Sequence, residues 1–132
     1  MLVVIDTSAL IAVLTSEAER PRLIAATQRA DLVAPASVHW EIGNALSALL
    51  KRRRISRDDI PLVLEAYERI PLRFLDVNLT LALEIAAEHG LYAYDAYLIT
   101  CALGQRAPLL TLDKSLGRAA DAAGVQVVEL PE

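Results

Sequence analysis

Five short apolar runs, each bounded by turn residues, alternate with stretches whose apolar positions recur every three or four residues. Leu2-Val3-Val4-Ile5 is unbroken, rich in β-branched side chains and ends abruptly at Asp6-Thr7-Ser8, the pattern of a strand buried on both faces. Leu32-Val33-Ala34 before Pro35, Leu72-Arg73-Phe74-Leu75 after Pro71, Leu109-Leu110-Thr111-Leu112 after Pro108 and Val125-Gln126-Val127-Val128 after Gly124 predict four more strands. From Ser37, read as an N-cap, the stripe Ile42, Ala45, Leu46 and Leu49 has helical spacing and closes at Lys51-Arg52-Arg53-Arg54. Ser56 with Asp59 reads as a capping box for a helix carrying Leu62, Val63, Ala66 and Ile70. Asn78 caps a helix over 79–88 that Gly90 ends. Residues 95–105 and 114–123 also read as helices, the second stopped by Gly124. The segment 16–30 has helical character, although Pro21 sits too deep for a clean first turn. Strands without period-two polarity alternating with helices predict an α/β fold with a parallel sheet covered on both faces. No repeat, low-complexity tract or linker interrupts the pattern, so residues 1–132 read as a single domain.

Composition narrows the class. Hydrophobic residues make up 55% of the 132, above the ~45–50% of an average domain, and a chain of this length can support one sizeable core. Disorder is thereby excluded. Apolar stretches stop short of the ~18–20 residues of a membrane span, and the N-terminal run lacks the basic region and cleavage site of a signal peptide. A lone cysteine, Cys101, rules out an internal disulfide and suits a reducing cytoplasm, so a cytoplasmic location is expected. The formal net charge of −4 gives no whole-molecule argument for nucleic acid.

The acids are informative by position. In an open parallel sheet, ligands bind beyond the carboxyl ends of the strands, near the switch in strand order. Asp6 follows the first strand, Asp113 follows the fourth, Asp95 opens the helix before it, and Glu41 lies in the first turns of the helix after the second, with Asn44 one turn on. Capping alone would account for Asp6, Asp95 and Asp113, each near a helix start, but not for Glu41, which lies inside its helix beside the core stripe. Were the four to converge at ~5 Å with an effective dielectric near 20, each like-charge pair would cost about 3 kcal/mol. Six such pairs exceed the stability of a domain, so a cluster needs a cation or must protonate. Oxygen ligands without His or Cys select Mg²⁺ or Mn²⁺, ions suited to phosphodiester hydrolysis. Neither a phosphate-binding glycine motif nor a nucleophile elbow is present. His39 and His89 make no metal-spaced pair, and Cys101 sits in an apolar helix as a core residue.

Four motifs in order, V-V-I-D-T-S-A-L-I-A-V-L (3–14), W-E-I-G-N-A-L (40–46), Y-D-A-Y-L-I-T-C-A-L (94–103) and L-L-T-L-D-K-S-L (109–116), resemble those of PIN-domain proteins, most closely single-domain VapC-type toxins. The resemblance implies a three-layer α/β/α sandwich with a central parallel sheet and Mg²⁺- or Mn²⁺-dependent endoribonuclease activity. It also implies a homodimer and a cognate VapB-type antitoxin, in toxin–antitoxin complexes of higher order. It places the acidic quartet on Asp6, Glu41, Asp95 and Asp113, supporting hydroxyls on Thr7 or Ser8 and Thr111, and a polar position on Asn44. Lys51, Arg52, Arg53, Arg54 and Arg57 put five of the 13 basic residues into seven positions. They read either as a solvated helix end or as a contact for RNA backbone beside the metal site or for acidic antitoxin groups. The expected function is a toxin that hydrolyses RNA by metal-activated water. A PIN nuclease of RNA processing outside a toxin system and a non-catalytic RNA- or partner-binding scaffold are the alternatives.

Overall fold

In the computed structural model, which describes residues 1–132, four strands form one parallel sheet: β1 (Leu2–Ile5), β2 (Asp31–Pro35), β3 (Leu72–Leu75) and β4 (Leu109–Leu110). Their order is β3-β2-β1-β4, with Val3 opposite Leu32, Leu32 opposite Leu72 and Ile5 opposite Leu110. Seven helices connect and follow them: α1 (Thr7–Leu14), α2 (Arg20–Thr27), α3 (Ser37–Lys51), α4 (Ile60–Glu68), α5 (Leu79–His89), α6 (Ala93–Gln105) and α7 (Lys114–Ala122). The chain steps outward from β1 to β2 to β3, so right-handed crossovers carry α1–α4 over one face. It then returns past β1 to β4, which reverses the direction of travel and carries α5 and α6 over the other. The packing agrees: α1 touches α2, α3 and α4, while α6 lies across β1 and β2 with α5 beside it. The expected three-layer α/β/α sandwich with a parallel sheet is what forms.

Sandwiching explains the aliphatic composition. Val3, Val4 and Ile5 of β1 are at most 3% exposed, and they join a continuous core of 25 buried residues that includes Leu10, Ile42, Ile99, Leu109 and Leu110. Cys101 is part of that core, as its sequence context predicts. No helix is long and apolar enough to cross a membrane.

Several boundaries differ from expectation. The fifth strand does not form: residues 125–128 contribute one parallel bridge, Val127 to Leu109, because β4 is only two residues long and offers nothing further to pair with. β4 itself stops at Leu110 rather than Leu112, since Thr111 leaves the ladder to bond across the sheet edge. Helix is confined to Arg20–Thr27 within 16–30, and this start puts Pro21 in the first turn, where a missing N–H costs nothing. Helix α3 is capped at Ala36, so Ser37 is its first residue rather than its N-cap. Helix α6 begins at Ala93, two residues before Asp95. The Ser56–Asp59 capping box is present, on a 3₁₀ turn (Arg57–Asp59) that runs into α4.

Candidate functional site

β1 and β4 are neighbours in the sheet but lie 103 residues apart in the chain at the Ser8–Thr111 contact, and the switch in strand order falls between them. Asp6 stands at this point, 4% exposed at the end of β1. It is both a cap and the centre of a polar network. Its Oδ1 accepts the Ala9 amide at 3.0 Å, closing the first turn of α1. The Ser8 hydroxyl lies 2.8 and 2.9 Å from its two oxygens, and the Thr111 hydroxyl donates to Oδ2. The network is tied back to the loop after β4: the Leu112 amide donates to Ser8 Oγ, and the Asp113 amide to Thr111 Oγ1, each at 3.0 Å. Burial raises the Asp6 carboxyl above its ordinary range, the three donors oppose that rise, and the charge of Asp113 adds to it.

Asp113 caps α7, its Oδ1 accepting the amides of Ser115 and Leu116 at 2.9 and 3.2 Å. Asp95 makes no capping bond; it lies in the first turn of α6, partly buried, raised first by burial and then by the charge of Asp113. Glu41 is reached from the opposite face of the sheet, on α3. Burial pushes its carboxyl up to about 7, and the charges of Asp6 and Asp95 add to the shift. Oε2 of Glu41 is buried without a hydrogen-bond partner. The Thr7 and Ser37 hydroxyls face it closely enough to temper the rise, but neither completes a hydrogen bond to it, and both are buried and unpartnered themselves.

The structure therefore brings the four acids to one edge, from β1, α3, α6 and the start of α7, and Asp6, Glu41 and Asp95 are each raised in part by the charge of another member. Ser8 and Thr111 join Asp6, and Thr7 joins Glu41. Asn44 is exposed one turn beyond Glu41 and contacts none of the acids. The basic cluster is not beside them, contrary to one of its two readings. Lys51 lies ten residues along α3 from Glu41, about 15 Å down the axis, because α3 runs from the carboxyl edge of the sheet to the opposite edge. Ser37 was marked by the sequence only as a cap; its spacing four residues before Glu41, on one helix face, is the signal that pointed to the site.

A divalent cation suits this donor set. Every nearby side-chain donor is oxygen, and a desolvated carboxylate oxygen with two idle hydroxyls beside it is what a hard cation would satisfy. As they stand, no three acids close to metal-ligand spacing, so the carboxylates converge without meeting at a point. The roomiest recesses, about 730 Å³ beside α7 and about 570 Å³ between the start of β1, the end of α6 and residues 126–129, contain none of the four acids. Chemistry rather than depth marks this edge.

Among solved structures, PAE2754 from Pyrobaculum aerophilum is similar over 90% of this chain and 79% of its own, with a TM-score of 0.70 and 24% identity. VapBC2 from Rickettsia felis, solved bound to a DNA fragment from their promoter, matches over 99% and 100% with a TM-score of 0.69 and 13% identity. A PilT N-terminus domain protein, SSO1118 from Sulfolobus solfataricus P2, matches over 97% and 86% with a TM-score of 0.51 and 15% identity. These likenesses are of fold. No curated protein matches the sequence. Residues 3–122, from the middle of β1 to the end of α7, match the PIN domain, and the chain belongs to that family.

Proposed function

We propose that this PIN domain is a Mg²⁺- or Mn²⁺-dependent endoribonuclease and the toxin of a VapBC-type toxin–antitoxin pair. The observation that carries the nuclease reading is the buried, unpartnered Glu41 oxygen at an edge where three more carboxylates gather. Likeness to VapBC2 along the whole chain supports the toxin assignment and, with it, a VapB-type antitoxin as partner. The same reading supplies RNA as substrate, a homodimer that joins larger complexes with its antitoxin, and a cytoplasmic setting.

In this scheme Asp6, Asp95 and Asp113 would hold the ion, and Glu41 would contact it through water or accept a proton from the attacking water. A bound Mg²⁺ or Mn²⁺ supplies Lewis acidity, lowering the pKa of that water and neutralising charge on the phosphate. The chain's own part is positional. Ser8 and Thr111 fix the Asp6 oxygens, and through the Leu112 and Asp113 amides they fix the loop carrying Asp113. Thr7 and Ser37 stand beside Glu41, and Asn44 offers an amide to substrate one turn further out. A carboxyl held near 7 is matched to proton transfer at neutral pH. With the 3′ oxygen as leaving group, as the family resemblance implies, attack of water at phosphorus would break the P–O3′ bond and leave 5′-phosphate and 3′-hydroxyl ends.

The test is cleavage of a defined RNA with and without Mg²⁺ or Mn²⁺. Asp95→Asn keeps the fold, because Asp95 caps nothing, and lowers the rate at least ~100-fold, the scale of removing one electrostatic contributor to a transition state. A folded Asp95→Asn protein that cleaves as fast as the parent refutes the scheme.

A further inference from the structure

Helix α3 has an outward stripe that the acidic edge does not use. Trp40, Asn44, Ser47 and Lys51 are spaced i, i+4, i+7 and i+11, which puts them on one face, and all four are exposed while Val38, Ile42 and Leu46 are buried. Trp40, the only tryptophan of the chain, is 77% exposed. It is nevertheless braced: the His39 ring meets it edge-on at 4.9 Å, and His39 Nδ1 lies 2.9 Å from the hydroxyl of the buried Tyr67, with Phe74 at 5.6 Å on another side. An indole left in water with one neighbouring ring against it keeps a face free for stacking.

Beyond Trp40 the stripe is low and uncharged. A Cβ at Gly43 would meet nothing within 4 Å, and the Ser47 hydroxyl turns back to the Asn44 carbonyl. The only acid of α3 is Glu41, which is partly buried at the site. At the far end Lys51, Arg52, Arg53 and Arg54 are exposed and take part in neither of the chain's two ion pairs, Met1–Asp31 and Arg69–Glu65. An aromatic platform thus begins next to a site acid and leads to unpaired cations, in a protein whose formal charge is −4.

We propose that this stripe is a track for one unpaired RNA strand: a base stacks on Trp40 beside the acids, and the backbone runs along α3 toward Lys51 and Arg52–Arg54. The proposal rests on the ribonuclease reading and specifies the form of its substrate. From Trp40 to Lys51 the axis rises about 16 Å, the length of about five nucleotides stacked at ~3.4 Å each. Unpaired bases are required, because a duplex offers no base face to the indole along its length.

Trp40 is its own reporter. In EDTA, where cleavage is suppressed, an octauridylate RNA quenches Trp40 fluorescence, and a self-complementary RNA duplex of the same length does so far less. With a labelled octamer read by anisotropy, Trp40→Ala weakens binding by roughly 5- to 150-fold, the range of one lost base–aromatic stack, and Trp40→Phe restores most of it. Lys51→Ala with Arg52→Ala lowers the slope of log affinity against log salt by about 1.4, two phosphates' worth. Binding without quenching overturns the track and leaves the nuclease reading intact. Loss of cleavage in Asp95→Asn with quenching retained shows that the two stand separately. A fluorescence change on protein dilution alone, with a sedimenting dimer that Trp40→Ala splits, assigns the face to a second copy and overturns the proposal.

Discussion

Burial, reinforced by the charges of Asp6 and Asp95, pushes Glu41 up to about 7, so in the metal-free protein its carboxyl keeps a proton where a free glutamate has lost one. Between the ordinary value of 4.5 and about 7 the folded state therefore binds more protons than the unfolded chain. Stability then falls as pH rises through that window. Asp6 and Asp95 are raised in the same direction and add to the decline. The metal-free melting temperature is accordingly expected to drop between pH 5 and pH 8. Glu41→Gln flattens the drop and raises the value at pH 8 by a few degrees, equivalent to about 1 kcal/mol, as differential scanning fluorimetry would record. An unchanged slope in the variant contradicts the assignment. At this scale the acids were legible because each stands in its own motif, and at Asp6 capping and site geometry prove to be one arrangement. Thr7 was among the supporting hydroxyls that the resemblance implied, but the idle hydroxyl of Ser37 was not legible, because its direction depends on which residue begins the turn.

Helix α3 ends in a Schellman motif, with the Arg54 amide bonded to the Leu49 carbonyl and the Arg53 amide to that of Leu50. Arg53 occupies the left-handed position, φ 57°, that usually falls to glycine. A side chain there costs about 1 kcal/mol. Arg53→Gly is expected to stabilise the protein by about that amount in urea titration while weakening RNA binding in low salt, opposite signs from one substitution. Equal or lower stability would show that Arg53 has packing the backbone angle does not reveal. By contrast, Gly90 fills the same position after α5 at φ 64°, where the sequence predicts a stop. Element existence was readable from hydrophobic period and caps. Element length was not: β4 is cut short by a hydroxyl reaching across the sheet, and the run 125–128 finds no strand long enough to pair with. The first outcome depends on a partner 105 residues away and the second on Leu109, 18 residues before Val127.

For the molecule as a whole, the strand order decides where everything lies. The switch between β1 and β4 places Asp6 and Asp113 together, and the N-termini of α3 and α6 bring Glu41 and Asp95 to them from opposite faces. A cation at 100 times its Kd that binds only the folded state adds about 2.7 kcal/mol, a rise of roughly 10 °C in melting temperature. Mg²⁺ or Mn²⁺ should produce such a shift in the parent and in Trp40→Ala, and little in Asp95→Asn. A shift that survives in Asp95→Asn would place the ion elsewhere. Convergence of the acids was legible from the rule for parallel sheets, and the remoteness of the basic cluster follows from helix rise once α3 is known to be continuous from Ser37 to Lys51.

The contact between Ser8 and Thr111 has a consequence for synthesis of the protein. Ser8 and Thr111, which both position Asp6, are made 103 positions apart. At a translation rate of about 5–20 residues per second, a nascent chain carries Asp6 for roughly 5–20 s before Thr111 and Asp113 exist. Through that interval the chain has no site to close around an ion. The proposed nuclease activity would thus wait until β4 and Asp113 had been made.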